Sequence, residues 1–214
     1  FDKSNNSFVA QYTIQRSAFE VKNLAQVDPC IINPPPVCFQ VGTFETEVTL
    51  PLNAAGYTIA FQSCCRDAFM VNIVSDPIPG TPRDRGTGAT YFTEIPGSNT
   101  APGNSSPAFN KEEATLVCAD KKFTYDFSAT DPDGDELTYE FCDAYKGGQT
   151  TDQSGIPPVA VNPPYSFVQY ISPFTGQSPL GPNVKIDPKT GIISGIAPAA
   201  GKYVVTVCVN EFRN

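Results

Sequence analysis

Prolines and glycines interrupt most of this chain, and a long helix has few places to form. There are 21 prolines and 16 glycines in 214 residues. Each proline removes a backbone donor, and both residue types favour turns. No amphipathic helical run longer than about two turns survives a test for 3.6-residue periodicity. Alternation of apolar and polar residues recurs instead, so the chain is expected to be all-β.

Strands are expected within residues 1–27, where Phe8, Ala10, Tyr12 and Ile14 share one face of 7–14 and Phe19, Val21 and Leu24 continue at odd spacing, and over 43–50 and 57–63. The turn Asn53-Ala54-Ala55-Gly56 between the last two predicts a hairpin. Further strands are expected at 69–74, 89–95, 122–127, 137–142, 165–171 and 184–195, the last broken by a turn. Residues 202–209 are apolar after Lys202 except for Thr206 and read as a central strand. Pro34-Pro35-Pro36 reads as a stiff loop, Arg83-Asp84-Arg85-Gly86 as a solvated turn, and residues 146–164 as a long Gly-, Thr- and Pro-rich loop. Residues 96–107 are almost devoid of apolar side chains and mark a boundary. Two β-sandwich domains are therefore expected, 1–103 and 104–214.

The formal charge is −8, and the 14 basic residues are scattered. Nucleic acid and anionic membrane surfaces both call for a basic patch, so neither is an expected partner. No apolar run is long enough to span a bilayer. No signal-peptide pattern is seen at Phe1, and a first residue other than Met fits an excised piece of a longer chain.

Seven cysteines with no histidine and no C-x-x-C pair argue against zinc and for disulfides in an oxidising compartment. Spacing suggests that Cys30 and Cys38 close a short loop, that Cys142 and Cys208 join two strands, and that Cys118 meets Cys64 or Cys65. The vicinal pair would point to opposite faces of a strand.

The densest chemistry is Asp131-Pro132-Asp133-Gly134-Asp135. Three carboxylates at alternate positions suit a hard cation such as Ca²⁺, which takes several oxygen ligands. Gly134 supplies the positive φ that a tight acidic turn needs. The plainer reading is a solvated turn leading into a strand. An EF-hand is excluded, because the twelfth position from Asp131 is Cys142. Asn104-Ser105-Ser106 and Asn5-Asn6-Ser7 have the N-glycosylation form, which has meaning only in a eukaryotic secretory pathway.

Without histidine, neither a Ser-His-Asp nor a Cys-His arrangement can be built. The glycines form no phosphate loop. Nothing marks two carboxylates as facing each other across a cleft for glycoside hydrolysis. The chain is therefore expected not to be an enzyme. A different class, a carbohydrate-binding module, would use exposed aromatics; Tyr145, Tyr165, Phe167, Tyr170 and Phe174 are the candidates, although aromatics filling a Trp-free core account for the same residues.

Three pieces of the second half carry a resemblance. They are Asn104-Ser105-Ser106-Pro107-Ala108-Phe109, the segment Ala129 to Tyr139, and Ile186-Asp187-Pro188-Lys189-Thr190-Gly191-Ile192-Ile193-Ser194-Gly195 leading into Gly201-Lys202-Tyr203-Val204-Val205-Thr206-Val207. Together they resemble the cadherin-like and immunoglobulin-like repeats of large bacterial surface proteins. With Cys64-Cys65-Arg66-Asp67 and the closing Val209-Asn210-Glu211-Phe212-Arg213, the order looks like secreted Bacteroidota proteins associated with gliding motility or type IX secretion. Residues 1–56 match nothing in that pattern, and the acidic Asp-x-Asn-Asp linker of cadherins is missing. The resemblance implies tandem immunoglobulin-like sandwiches, an extracellular location, and adhesion to neighbouring domains, copies of the same protein or surface polysaccharide. Its match places Asp131, Asp133 and Asp135 as Ca²⁺ ligands, with Asn104 and Glu211 added.

Overall fold

The computed structural model describes residues 1–23, 30–31, 38–67, 69–75, 87–101, 103–110, 116–148 and 160–213. The fold is all-β, with no helix among the described residues. Among the described residues, eleven strands form five small antiparallel sheets.

In the first half, β1 (Arg16–Asn23) pairs with β2 (Cys38–Phe44), and β3 (Tyr57–Ser63) pairs with β4 (Ala89–Ile95). Two expectations fail here. Residues 7–14 and 45–50 form no strand, and β3 turns back not on 43–50 but on a strand some thirty residues later in the chain. Alternation fixes which residues share a face; it does not fix which strand lies alongside. The turn itself is where the sequence puts it: Gly56 has a φ of 82° and its N–H donates to Asn53 O.

In the second half, short β5 (Ala108–Phe109) pairs with β7 (Ala129–Thr130). A three-stranded sheet has the order β6 (Lys122–Asp126), β10 (Ile192–Ile196), β9 (Val184–Ile186). β8 (Glu136–Phe141) pairs with β11 (Val207–Phe212). Phe141, Val184 and Ile193 are buried together, with Phe123, Tyr125, Phe127 and Val207 packed around them. These residues come from the β6–β10–β9 and β8–β11 sheets, which therefore share one core. The last strand begins at Val207 rather than 202, and among the described residues β11 pairs with β8 alone instead of lying centrally.

A second cluster joins the halves: Ile73 is buried with Ala144, Val168 and Val204, and Met70 and Tyr170 pack against it. Residues 69–74 contribute single bridges, Met70 to Lys202 and Ile73 to Tyr170, rather than the strand expected. Residues 165–171 likewise make bridges only. Asn72 is wholly buried at the centre of this junction.

Three crosslinks are present among the described residues: Cys30–Cys118, Cys64–Cys65 and Cys142–Cys208. The third joins β11 to the residue just past β8, as the spacing predicts, with Cα atoms 5.9 Å apart. The other two pairings correct the expectation. Cys64 and Cys65 follow the end of β3, so strand alternation no longer drives their side chains apart and they bond to each other. Cys118 is thereby left for Cys30, 88 residues away in sequence. The side chain of Cys38 lies outside the described residues, as do residues 34–36, 83–86 and 149–159 of the expected loops.

Candidate functional site

The acidic turn is built by Asp131 itself. Its Oδ1 accepts the backbone N–H groups of Asp133 at 2.9 Å and Asp135 at 3.1 Å, a side-chain-to-backbone closure typical of Asx turns. Gly134, with a φ of 79°, lets the chain reverse. The turn sits at the head of β8, where the ladder sets Glu211 opposite Leu137 and Phe212 opposite Glu136. The segment before β5 crosses the same point, and Ser105 N–H donates to Asp133 Oδ2 at 2.6 Å.

All five residues named from the resemblance converge here. Asp131, Asp133 and Asp135 each offer an oxygen within 4.8 Å of the others. Glu211 reaches the group from β11: burial raises its pKa first, the Asn104 amide offsets part of that, and the neighbouring Asp135 and Asp131 push it up again. Asp131 Oδ2 is buried and has no hydrogen-bond partner.

Arg213 is the residue the sequence reading passed over. Its Nε donates to Asp135 Oδ2 at 3.0 Å and its Nη2 to Asp133 Oδ2 at 3.1 Å, and this pairing raises its pKa, Asp135 being the main cause. The signal was present: Arg213 lies two residues beyond Glu211, the spacing that places side chains on one strand face. The guanidinium balances part of a four-carboxylate cluster. A Ca²⁺ ion would find enough oxygens in Asn104, Asp131, Asp133, Asp135 and Glu211 for its usual six to eight ligands. It would compete with Arg213 for two of them.

A second grouping is aromatic. Tyr145 packs on Phe167 with ring centroids 4.7 Å apart, on Phe92 at 5.3 Å and on Tyr165 at 6.2 Å. Thr90, Tyr145 and Phe167 are linked by successive bridges, so β4 supplies one wall and Tyr145, Tyr165 and Phe167 the other. Phe92 and Phe167 keep faces open to solvent. The Tyr165 hydroxyl is buried without a hydrogen-bond partner, and the neighbouring Gln62 amide exchanges two bonds with the Val161 backbone. Burial raises the Tyr165 pKa, with Gln62 opposing. Two of the five aromatic candidates lie elsewhere. Tyr170 belongs to the buried cluster, where Ala144 N–H donates to its hydroxyl at 3.2 Å. Phe174 meets Tyr203 edge-on. Phe92, from the other half of the chain, could not be assigned to this group from local pattern.

Compared with family models, curated proteins and solved structures, the chain has no match.

Proposed function

We propose that this chain is a non-catalytic structural or adhesive module of a bacterial cell-surface protein, built from immunoglobulin-like sandwich units and working outside the reducing cytosol. The observation that carries this reading is the set of three crosslinks, above all Cys142–Cys208, which ties β8 to β11. Disulfides persist in oxidising compartments and stabilise small-cored β-domains there. The acidic turn at the head of the same two strands would take Ca²⁺ as a structural ion, and the buried, unpartnered Asp131 Oδ2 supports that assignment. The ion's work would be charge neutralisation between β8, β11 and the segment at Asn104; no chemistry is asked of it.

The test is thermal unfolding of the oxidised protein with and without reductant, and with Ca²⁺ or chelator. A melting temperature that falls on reduction supports the module as an oxidised one. A melting temperature indifferent to reduction rules it out, and one indifferent to millimolar Ca²⁺ removes the ion.

A second reading, a carbohydrate-binding module, is favoured by the Phe92, Tyr145, Tyr165 and Phe167 grouping, since sugar rings stack on open aromatic faces. Binding on a glycan array that disappears in Phe167→Ala, with the fold intact by circular dichroism, would support it. Silence across the array would remove it.

A further inference from the structure

Arg66 is a cation without a counter-charge. Lys3, Lys22, Lys202 and Arg213 each meet a carboxylate. Arg66 meets none among the described residues; its side chain bonds only to backbone carbonyls. The residue is half-buried, and burial pulls its pKa below the usual arginine value, with Tyr91 and Tyr170 opposing. Charged groups taken out of water are ordinarily paired, so this guanidinium is an exception in a chain with 22 acidic residues.

The way Arg66 is held leaves one of its edges unused. The Cys64–Cys65 crosslink precedes it directly, and its own N–H donates to Thr87 O at 2.9 Å. Its Nη1 donates to Gly88 O and, at 3.1 Å, to Tyr145 O. Those two bonds use both Nη1 hydrogens. The hydrogens on Nε and Nη2 have no acceptor among the described residues, and neither nitrogen is sealed from solvent. Two tyrosine hydroxyls interact with the same guanidinium. That of Tyr170 accepts from Ala144 N–H at 3.2 Å, which leaves its own hydrogen to be given. Tyr91 is 58% exposed. The carboxylate beyond Tyr170, Asp143, acts on that hydroxyl rather than on Arg66, and its Oδ2 accepts from Gln177 Nε2 at 2.9 Å.

We infer that the Nε–Nη2 edge of Arg66 binds the carboxylate of a small ligand, with the Tyr91 and Tyr170 hydroxyls donating to it from the side. Two N–H groups on one edge of a guanidinium match the two oxygens of a carboxylate as a bidentate fork. A fork already fixed by two carbonyls needs little further ordering when the ligand arrives. Charge selects among oxyanions. Arg66 is the cation that acts on the Tyr170 hydroxyl, and one cation balances a carboxylate but not a phosphate group, which carries up to about two charges. The net charge of −8 repels polyanions, so the ligand carries a single carboxylate rather than a run of them. The site is separate from the Phe92, Tyr145, Tyr165 and Phe167 grouping, because Tyr91 and Phe92 are adjacent in β4 and point to opposite faces. The inference therefore depends on neither reading given above.

The test is an NMR titration of the oxidised, nitrogen-labelled wild-type protein, following the Arg66 Nε–H resonance assigned through its own side-chain spin system. The probes are acetate, glucuronate, glucose and inorganic phosphate at constant ionic strength. Acetate and glucuronate are each expected to shift the resonance saturably, and glucose to leave it in place. Glucuronate binding about tenfold tighter than acetate would assign the ligand to the sugar acids, and equal affinities would assign it to simple carboxylic acids; both results support the site. Tyr91→Phe, at an exposed position and checked by its melting temperature, is expected to weaken acetate binding about two- to tenfold, the worth of one hydrogen bond. Arg66→Lys, which keeps the charge and loses the fork, is expected to weaken it further. No shift with either carboxylate, or a stronger response to phosphate, overturns the inference while leaving the crosslinked module untouched. A Tyr91→Phe variant that binds acetate as wild type does overturns the part given to that hydroxyl.

Discussion

The side chain of Asn72 pairs with the main chain of Val204 as a neighbouring strand would. Val204 N–H donates to Asn72 Oδ1 at 2.9 Å, and Asn72 Nδ2 donates to Val204 O at 2.8 Å. The second amide hydrogen goes to Pro179 O at 2.9 Å, and the residue is fully buried. Asn72→Ala would strand one donor and two acceptors in a buried junction. The expected loss is about 2–4 kcal/mol, read from urea unfolding midpoints at constant slope. A change under half a kcal/mol would show that the amide is replaced by water.

Removing the β8–β11 crosslink tests a different kind of stabilisation. A loop of 66 residues loses much of its unfolded-state freedom when closed, so a Cys142→Ser, Cys208→Ser double variant is expected to lose about 2–4 kcal/mol. The effect should match that of reductant at this bond. Equal stability of the double variant and wild type would mean that strand pairing alone holds β11.

Arg213→Ala separates the two cations that the acidic turn can use. Without Ca²⁺ the variant leaves four carboxyl groups uncompensated and is expected to melt below wild type. In millimolar Ca²⁺ it is expected to bind the ion more tightly than wild type, since Asp133 and Asp135 are freed. Calorimetric titration of both proteins decides this. Weaker binding by the variant would make Arg213 part of the site rather than its competitor.

Asp187 gives a pH signature. Its Oδ1 accepts the N–H groups of Lys189 and Thr190, both at 2.9 Å, and these bonds hold its pKa below the usual carboxylate value, Lys189 first. A depressed pKa means stability that is present above about pH 4 and is lost as pH falls through the folded-state value. Wild type should therefore lose stability between pH 4 and lower values more steeply than Asp187→Asn. Parallel acid melting curves would refute the assignment.

Strand positions were legible in both halves, since 57–63 and 89–95 fold as β3 and β4, but strand partners in the first half were not. Residues 122–127, 137–142 and 184–195 fold close to where alternation puts them, because each apolar face meets a core that the same segment helps build. Residues 43–50 alternate just as cleanly yet end in solvent, since the pattern specifies a face without guaranteeing a layer to cover it. The Cys30–Cys118 bond and the meeting of Phe92 with Tyr145 are long-range events that spacing cannot encode. The acidic turn is the opposite case: Asp131 organises its own loop through bonds to residues two and four positions on, so its geometry follows from local sequence. Only the arrival of Glu211 and Arg213 needed the β8–β11 register.

The Cys142–Cys208 bond also sets how the module would behave under tension. A pull delivered through β8 and β11 passes from one strand to the other by a covalent route and skips everything enclosed between them. About 220 Å of potential extension, at some 3.4 Å per residue, is locked out of reach, so the inner strands stay folded while the outer ones bear the load. Reduction would release that length at once, turning a stiff link into a yielding one.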